Sequence, residues 1–144
     1  NIDGLHQKAG SRTVYELHGS IARNHCMRCR AFYDAAFVKA SPGVPRCSCG
    51  GIVKPDVVLY GEMLDDATVE QAVNSIAAAD LLIVGGTSLA VYPAAGFLEY
   101  YGGKKLVLIN KSQTPCDNRA ALVIRAPIGE ALGEAVPAEE KARS

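Results

Sequence analysis

Four cysteines within 24 positions set the tightest limit on how this chain can fold. Cys26-x-x-Cys29, seventeen residues, then Cys47-x-Cys49 is a spacing that brings two close pairs of thiolates together, as a tetrahedral zinc ion requires. Gly50 and Gly51 after the second pair let backbone N–H groups approach sulfur. Arg23, Arg28, Arg30 and Arg46 lie near enough in sequence to offset the charge of roughly −2 on a four-thiolate zinc centre. On spacing alone the alternatives are disulfides, an iron–sulfur centre, or His25 in place of one cysteine. Four sulfurs leave no open position, so the expected role of the metal is structural: one ion holds residues 25–53, a zinc-ribbon-like module with few large apolar residues. Such sites contribute on the order of 10 kcal/mol or more of folding free energy. Clustered thiols of this kind also suit a reduced, intracellular setting better than a disulfide framework. The fifth cysteine, Cys116 in Thr114-Pro115-Cys116-Asp117, reads as a plain loop thiol.

The second constraint is Asp80-Leu-Leu-Ile-Val-Gly-Gly-Thr-Ser-Leu-Ala-Val-Tyr-Pro-Ala-Ala95. Leu81 to Val84 is apolar on both faces, the pattern of a strand in the middle of a parallel sheet. Gly85-Gly86 closes it, Thr87 and Ser88 bring hydroxyls and free N–H groups, and Pro93 opens an alanine-rich helical pattern to Tyr101. Strand, glycine turn and helix is how α/β sheets bind nucleotides at the carboxyl ends of their strands. A tight turn that only reverses the chain fits the same residues.

Further elements follow the same alternation. Thr13 to Leu17 is a short β-prone run ending at His18-Gly19. Val57 to Tyr60 is a second buried-strand candidate, closed by Gly61-Glu62. Asp65 or Asp66 caps a helix to about Ala79, with Val69, Ala72, Val73 and Ile76 on one face. Leu106 to Ile109 is a third strand ending at Asn110, Leu122 to Ile124 a weaker fourth, and Ile128, Leu132 and Val136 mark a last helix. The tail from Pro137 is charged and expected to fray. Strands alternating with helices predict a parallel, Rossmann-like α/β sheet with right-handed crossovers. The module at 25–53 interrupts a discontinuous domain made of 1–24 and 54–144.

Composition excludes several function classes. Fifteen basic against fifteen acidic residues leave no global field to draw nucleic acid or an anionic membrane. No apolar run approaches the eighteen residues of a membrane span. There is no Gly-x-Ser-x-Gly elbow, Walker loop or His-Glu-x-x-His. Polar residues instead gather at element ends, in Asn1-Ile-Asp-Gly-Leu-His6 and Glu16-Leu-His-Gly19. There His18 can titrate near neutral pH as a general base, or serve the fold alone; His6 and His25 are weaker candidates.

At these residues the chain resembles the sirtuin family of NAD-dependent protein lysine deacylases. The matching pieces run in family order: Asn1-Ile-Asp-Gly-Leu-His6, Ala9-Gly10, Glu16-Leu-His-Gly19, the two cysteine pairs, Lys54-Pro-Asp-Val-Val-Leu-Tyr-Gly-Glu62, Gly86-Thr-Ser-Leu89, Val91-Tyr-Pro-Ala94 and Leu108-Ile-Asn110. The second pair as Cys-x-Cys is similar to many bacterial members. The resemblance implies a structural zinc on Cys26, Cys29, Cys47 and Cys49, and NAD as co-substrate. It implies that His18 is the general base for a ribose hydroxyl, with Asn1 and Asp3 around the nicotinamide ribose and carboxamide and Ile2 beside them. Gly86, Thr87 and Ser88 match the turn that contacts the cofactor, Asn110, Lys111 and Ser112 the adenosine-ribose segment, and Ile128 a position touching adenine. Val58, Tyr60, Gly61 and Glu62, with Val91 and Tyr92, match two strips between which an acyl-lysine peptide lies as an added strand.

Where the chain departs from the family, the Gly-Ala-Gly-x-Ser segment, the flexible cofactor loop and the glutamine before Asn1 are absent. A first βα unit is therefore expected to be missing, leaving an open sheet edge, and these 144 residues alone are expected to bind NAD poorly. The expected substrates are acylated-lysine proteins or peptides, acetyl foremost, in a cytoplasmic setting without membrane or direct nucleic-acid partners. The competing readings are a non-catalytic zinc-ribbon adaptor on an α/β scaffold and a dehydrogenase, the latter lacking a complete Gly-x-Gly-x-x-Gly.

Overall fold

A computed structural model describes residues 1–136; the charged tail expected from Pro137 lies outside them. The chain forms two compact units, Asn1–Ala72 and Val73–Ser144.

The first unit is built on an antiparallel sheet. β1 (Gly19–Cys26) lies between β2 (Phe32–Asp34) and β3 (Val53–Val57). β1 owes its hold to polar side chains turned inward. Asn24 is fully buried because its amide donates to the carbonyls of Ile21 at 3.2 Å and Tyr33 at 3.3 Å, satisfying groups that burial would otherwise penalise. The register on β3 shifts between Ser20 and Asn24, the mark of a bulge. A short helix α1 (Leu5–Lys8) precedes the sheet. A second, α2 (Ala35–Ala40), starts where the Asp34 carboxylate accepts from the Phe37 N–H at 2.8 Å, a standard N-cap. Tyr33, Phe37 and Val38 of this region pack on the buried core of Cys26, Cys47 and Val53.

Two expected strands are corrected here. Residues 13–17 form none: Leu17 bonds back to the Tyr15 carbonyl and Gly19 to that of Glu16, so a local turn wins over β propensity and the strand begins at Gly19 instead. The run expected at Val57–Tyr60 lies mostly outside the sheet. β3 ends at Val57, and Leu59 and Tyr60 are exposed. The Leu59 N–H turns to the Glu62 carboxylate at 2.9 Å, so the chain bends where apolar character alone suggested a buried strand.

Helix α3 (Asp66–Ala77) spans the division between the units. Asp65 caps it, accepting from the Thr68 N–H at 2.8 Å and hydroxyl at 2.7 Å. Those two bonds, the hydroxyl first, hold the Asp65 carboxyl below the usual carboxylate range, so the cap persists at neutral pH and fails only in acid. The second unit carries the parallel sheet, β4 (Leu82–Gly85), β5 (Leu106–Ile109) and β6 (Leu122–Ile124), in that order. β5, not β4, is the middle strand: Leu106, Leu108 and Ile109 are buried, whereas Ile83 on β4 is 45 % exposed. The apolar run at 81–84 has one strand neighbour among the described residues, which corrects its expected central place. Leu98, Tyr101, Leu106 and Leu108 form the core, with Ile76 of α3 packed against them. The Tyr101 phenol accepts from the Lys105 N–H and donates to the Asp80 carbonyl, both at 3.2 Å, joining the starts of β4 and β5. The alanine-rich segment after Pro93 is a 3₁₀ helix over Ala94–Tyr100 rather than an α-helix, Gly96 in its first turn weakening α propensity. The last helix, α4 (Ile128–Ala135), lies where the periodicity puts it. Among the described residues no helix is long and apolar enough to cross a membrane.

Leu108, 1 % exposed at the centre of the parallel sheet, sets a stability prediction. Leu108→Ala is expected to cost about 2–5 kcal/mol in denaturant unfolding followed by circular dichroism. Leu59→Ala, at an exposed site, is expected to stay within about 0.5 kcal/mol of the parent.

Candidate functional site

The sulfurs of Cys26, Cys29, Cys47 and Cys49 all lie within 4.8 Å of one another. The close pairs, Cys26–Cys49 and Cys29–Cys47, stand 3.5 Å apart, far beyond a disulfide bond of roughly 2 Å. The pairing crosses between the two sequence motifs, so each motif supplies two corners of one tetrahedron. β1 delivers Cys26 and the turn after it Cys29; the loop before β3 delivers the other two. Backbone N–H groups of Arg28 and Cys49 point at the sulfurs of Cys26 and Cys47 at 3.4 and 3.5 Å.

The charges of the cluster call for a cation. The Tyr33 hydroxyl, then the Cys49 N–H, lower the Cys47 thiol to about 6. The Cys29 N–H draws Cys26 down as well. At Cys49 the Gly51 N–H favours the thiolate, yet the three neighbouring sulfurs outweigh it and push the thiol up to about 12. A divalent ion held among the four sulfurs would favour the thiolate form of each. Four sulfur donors this close together fit zinc in a closed, structural site. Packing keeps the place small: a Cβ on Gly51 would sit 2.6 Å from the Cys26 sulfur and 2.8 Å from the Arg28 Cβ.

The other predicted site residues of the first unit gather along one route of backbone. Ile2 is tied to β1 by its carbonyl, which accepts from the Ile21 N–H at 3.1 Å. The Asp3 carboxylate accepts from the Leu5 N–H at 3.0 Å and so opens α1, while Asn1 is exposed. The His18 carbonyl accepts from the Val58 N–H at 3.1 Å, which ties the backbone of the candidate base to the first residue of the 58–62 strip. That strip is shaped by Glu62. Its carboxylate accepts from the Leu59 N–H at 2.9 Å and from the Lys54 ammonium at 3.1 Å. The Leu59 amide, then Lys54, hold it below the usual carboxylate range. Tyr60 is fully exposed, and Gly61 turns the chain at φ 85°, a conformation that glycine adopts without strain.

In the second unit Gly86, Thr87, Ser88 and Asn110 lie just beyond the carboxyl ends of β4 and β5, where a nucleotide would be expected. The Gly86 N–H donates to the Ile109 carbonyl at 3.0 Å, and the Asn110 N–H to that of Ile124 at 3.1 Å. Thr87 spends its hydroxyl locally, accepting from the Leu89 N–H at 3.1 Å, and Ser88 is exposed. Ile128 closes over the turn: a Cβ on Gly85 would stand 2.1 Å from its Cδ1. The Asn110 amide donates to the Ser112 carbonyl at 2.9 Å, so Asn110, Lys111 and Ser112 form one tight bend, Lys111 exposed within it. Val91 and Tyr92 are exposed beside the 3₁₀ segment. The turn, the bend and Ile128 thus share one end of the parallel sheet.

Residues 1–93 match the profile of the Sir2 family. This chain belongs to the Sir2 family. It is 60 % identical over 138 residues to an NAD-dependent protein deacetylase of Clostridium perfringens, covering 94 % of this chain and 57 % of that protein. Identity is also 60 % over 134 residues to one of Clostridium acetobutylicum, of which 55 % is covered. The chain therefore spans a little over half the length of the curated relatives it matches. Among solved structures, Sir2 in complex with the inhibitor EX-527, 2'-O-acetyl-ADP-ribose and deacetylated p53 peptide superposes with a TM-score of 0.85 at 38 % identity, over 94 % of this chain and 61 % of that one. A Sir2–p53 peptide–NAD+ complex gives 0.83 at 37 %, over 94 % and 60 %. The fold of this Sir2 chain is accordingly the sirtuin-like α/β fold with its four-cysteine zinc module.

Sequence reasoning gives no role to Lys54 or Tyr33 in this Sir2 chain, although both touch residues it does single out. A lysine eight positions before a glutamate across a glycine turn, or a tyrosine in a two-residue alternation, carries no specific spacing. Only the folded geometry pairs them.

The metal centre sets a second prediction. Elemental analysis of the protein prepared with zinc is expected to give one ion per chain, and Cys47→Ala to lose it. Stripping the ion with a chelator is expected to speed amide exchange across residues 25–53. Unchanged exchange after full removal would exclude a structural role.

Proposed function

We propose that this chain is part of an NAD-dependent protein lysine deacylase that removes acyl groups, acetyl foremost, from lysine side chains, releasing nicotinamide and O-acyl-ADP-ribose. The observation that carries the reading is the 60 % identity, over nearly the whole chain, to proteins named NAD-dependent protein deacetylases. Solved relatives bound to acetylated and propionylated peptides, at 36 and 37 % identity, support acyl-lysine peptides as the substrate class. In this reading residues 1–24 and 54–144 make one discontinuous nucleotide-binding domain, interrupted by the zinc module at 25–53, in a cytoplasmic protein.

NAD, when bound, supplies a ribose carbon made electrophilic by departure of nicotinamide. The chain's own residues bind and orient it and move one proton. Gly86, Thr87 and Ser88 offer a turn without bulky side chains at the end of β4, and a cofactor can approach its backbone. Asn110, Lys111 and Ser112 receive the adenosine ribose and Ile128 the adenine face. Asn1, Ile2 and Asp3 surround the nicotinamide end. His18 takes the proton from a ribose hydroxyl, a step worth about 10²–10⁴-fold in rate. Val58, Tyr60, Gly61 and Glu62, and with them Val91 and Tyr92, are the residues assigned to an acyl-lysine peptide that binds as an added strand. Backbone pairing of that kind gives affinity with loose sequence preference.

In the full-length protein, nicotinamide release is expected only when both NAD and an acetyl-lysine peptide are present. His18→Ala is expected to lower it about 10²–10⁴-fold with zinc content unchanged. Near-full turnover by that variant refutes the assignment. A change in absorbance at the reduced-cofactor band would instead mark a dehydrogenase, and inactivity with both substrates an adaptor.

A further inference from the structure

The residues 58–62 leave the sheet, yet they are not a loose loop. Two ties hold them. At one end the Val58 N–H donates to the His18 carbonyl at 3.1 Å. At the other, Glu62 folds back on the bend: its carboxylate takes the Leu59 N–H at 2.9 Å and its own N–H donates to the Leu59 carbonyl at 3.0 Å. Lys54, projecting from β3, completes the arrangement. Its ammonium donates to the Val57 carbonyl at 2.9 Å and to the Glu62 carboxylate at 3.1 Å, so a single side chain bridges the last residue of the strand and the far end of the strip.

This clasp spends the backbone groups of Leu59 and leaves others free. Among the described hydrogen bonds, the N–H of Tyr60 and the carbonyls of Val58 and Tyr60 have no partner. Free main-chain groups on a segment of fixed shape are what an incoming strand needs, because the ordering entropy of the receiving segment is already met. The Lys54 and Glu62 side chains are 25 % and 43 % exposed, and partly exposed ion pairs add little to global stability. The effect of the clasp is therefore local shape.

We infer that Lys54 is a positioning residue for the acyl-peptide strand: through Glu62 it holds residues 58–61 in the conformation that pairs with substrate backbone, in register with the backbone of His18. The inference rests on the reading of 58–62 as the peptide strip. Lys54 itself touches no substrate. It is the length and charge of its side chain that count, since the ammonium must reach the Val57 carbonyl and the Glu62 carboxylate together.

The test uses the full-length protein, with amide exchange of Leu59 measured without substrate and steady-state kinetics measured with NAD and an acetyl-lysine peptide. Lys54→Met is expected to speed Leu59 exchange and to raise KM for the peptide about tenfold, with kcat falling less than about twofold and the unfolding midpoint unmoved. Glu62→Gln is expected to act in the same direction, and the double variant to be no worse than the poorer single one, because both remove one device. Lys54→Arg, which keeps charge and reach, is expected to recover most of the peptide KM. Faster Leu59 exchange with an unchanged peptide KM overturns the inference, as do strictly additive effects of the two variants. A wild-type protein that releases no nicotinamide with the peptide brings down the functional reading, and this inference with it; active wild type beside variants of normal KM brings down the inference alone.

Discussion

Four cysteine sulfurs brought within 4.8 Å of one another are the constraint around which the N-terminal unit is arranged. Its sheet has only three strands, and its core of Cys26, Cys47 and Val53 includes two of the metal ligands. A core that small is the kind a bound metal helps to hold together. A bound ion would join the end of β1 to the loop before β3, and the candidate site residues of this unit adjoin those two strands. His18 immediately precedes β1, Lys54 lies within β3 and the 58–62 strip follows it, and the Ile2 carbonyl is hydrogen-bonded to β1. Zinc takes no part in the proposed chemistry; held by the four cysteines, it would brace the strands from which those groups project.

The second unit rests on a different principle. Its parallel strands bury Leu106, Leu108 and Ile109 at the centre, and the Tyr101 phenol fastens two strand starts together. Backbone pairing places Gly86 and Asn110 beyond adjacent strand ends, so residues 24 positions apart in sequence become neighbours. The candidate cofactor residues are products of sheet register, and the candidate peptide strip is a product of side-chain capping.

Much of this was legible in the residues. The cysteine spacing announces its own geometry, because thiolate pairs have few other reasons to recur at that interval. β5, β6, α3 and α4 follow from uninterrupted apolar runs or helical periodicity, signals that tertiary context seldom reverses. Two of the misread strands have one cause in common. Val57–Tyr60 and Thr13–Leu17 look like strands by composition, but hydrogen bonds from Glu62, and within residues 15–19, compete for the backbone locally, and composition does not register such partners. Leu81–Val84 reads as a mid-sheet strand because it is apolar on both faces, but among the described residues it has one neighbouring strand. The clasp of Lys54 was illegible for a simpler reason: a long flexible side chain has no fixed sequence distance to its partner.

The crowding around Gly51 has a consequence for how this sequence can vary. The position touches no substrate and holds no metal, and its backbone is open to any amino acid. Even so, the smallest side chain would overlap a ligand sulfur and the stem of Arg28. Selection acting on the metal knot would thus be written at a residue with no chemistry of its own, and a survey of tolerated replacements would find an inert hydrogen atom as indispensable as the thiols beside it.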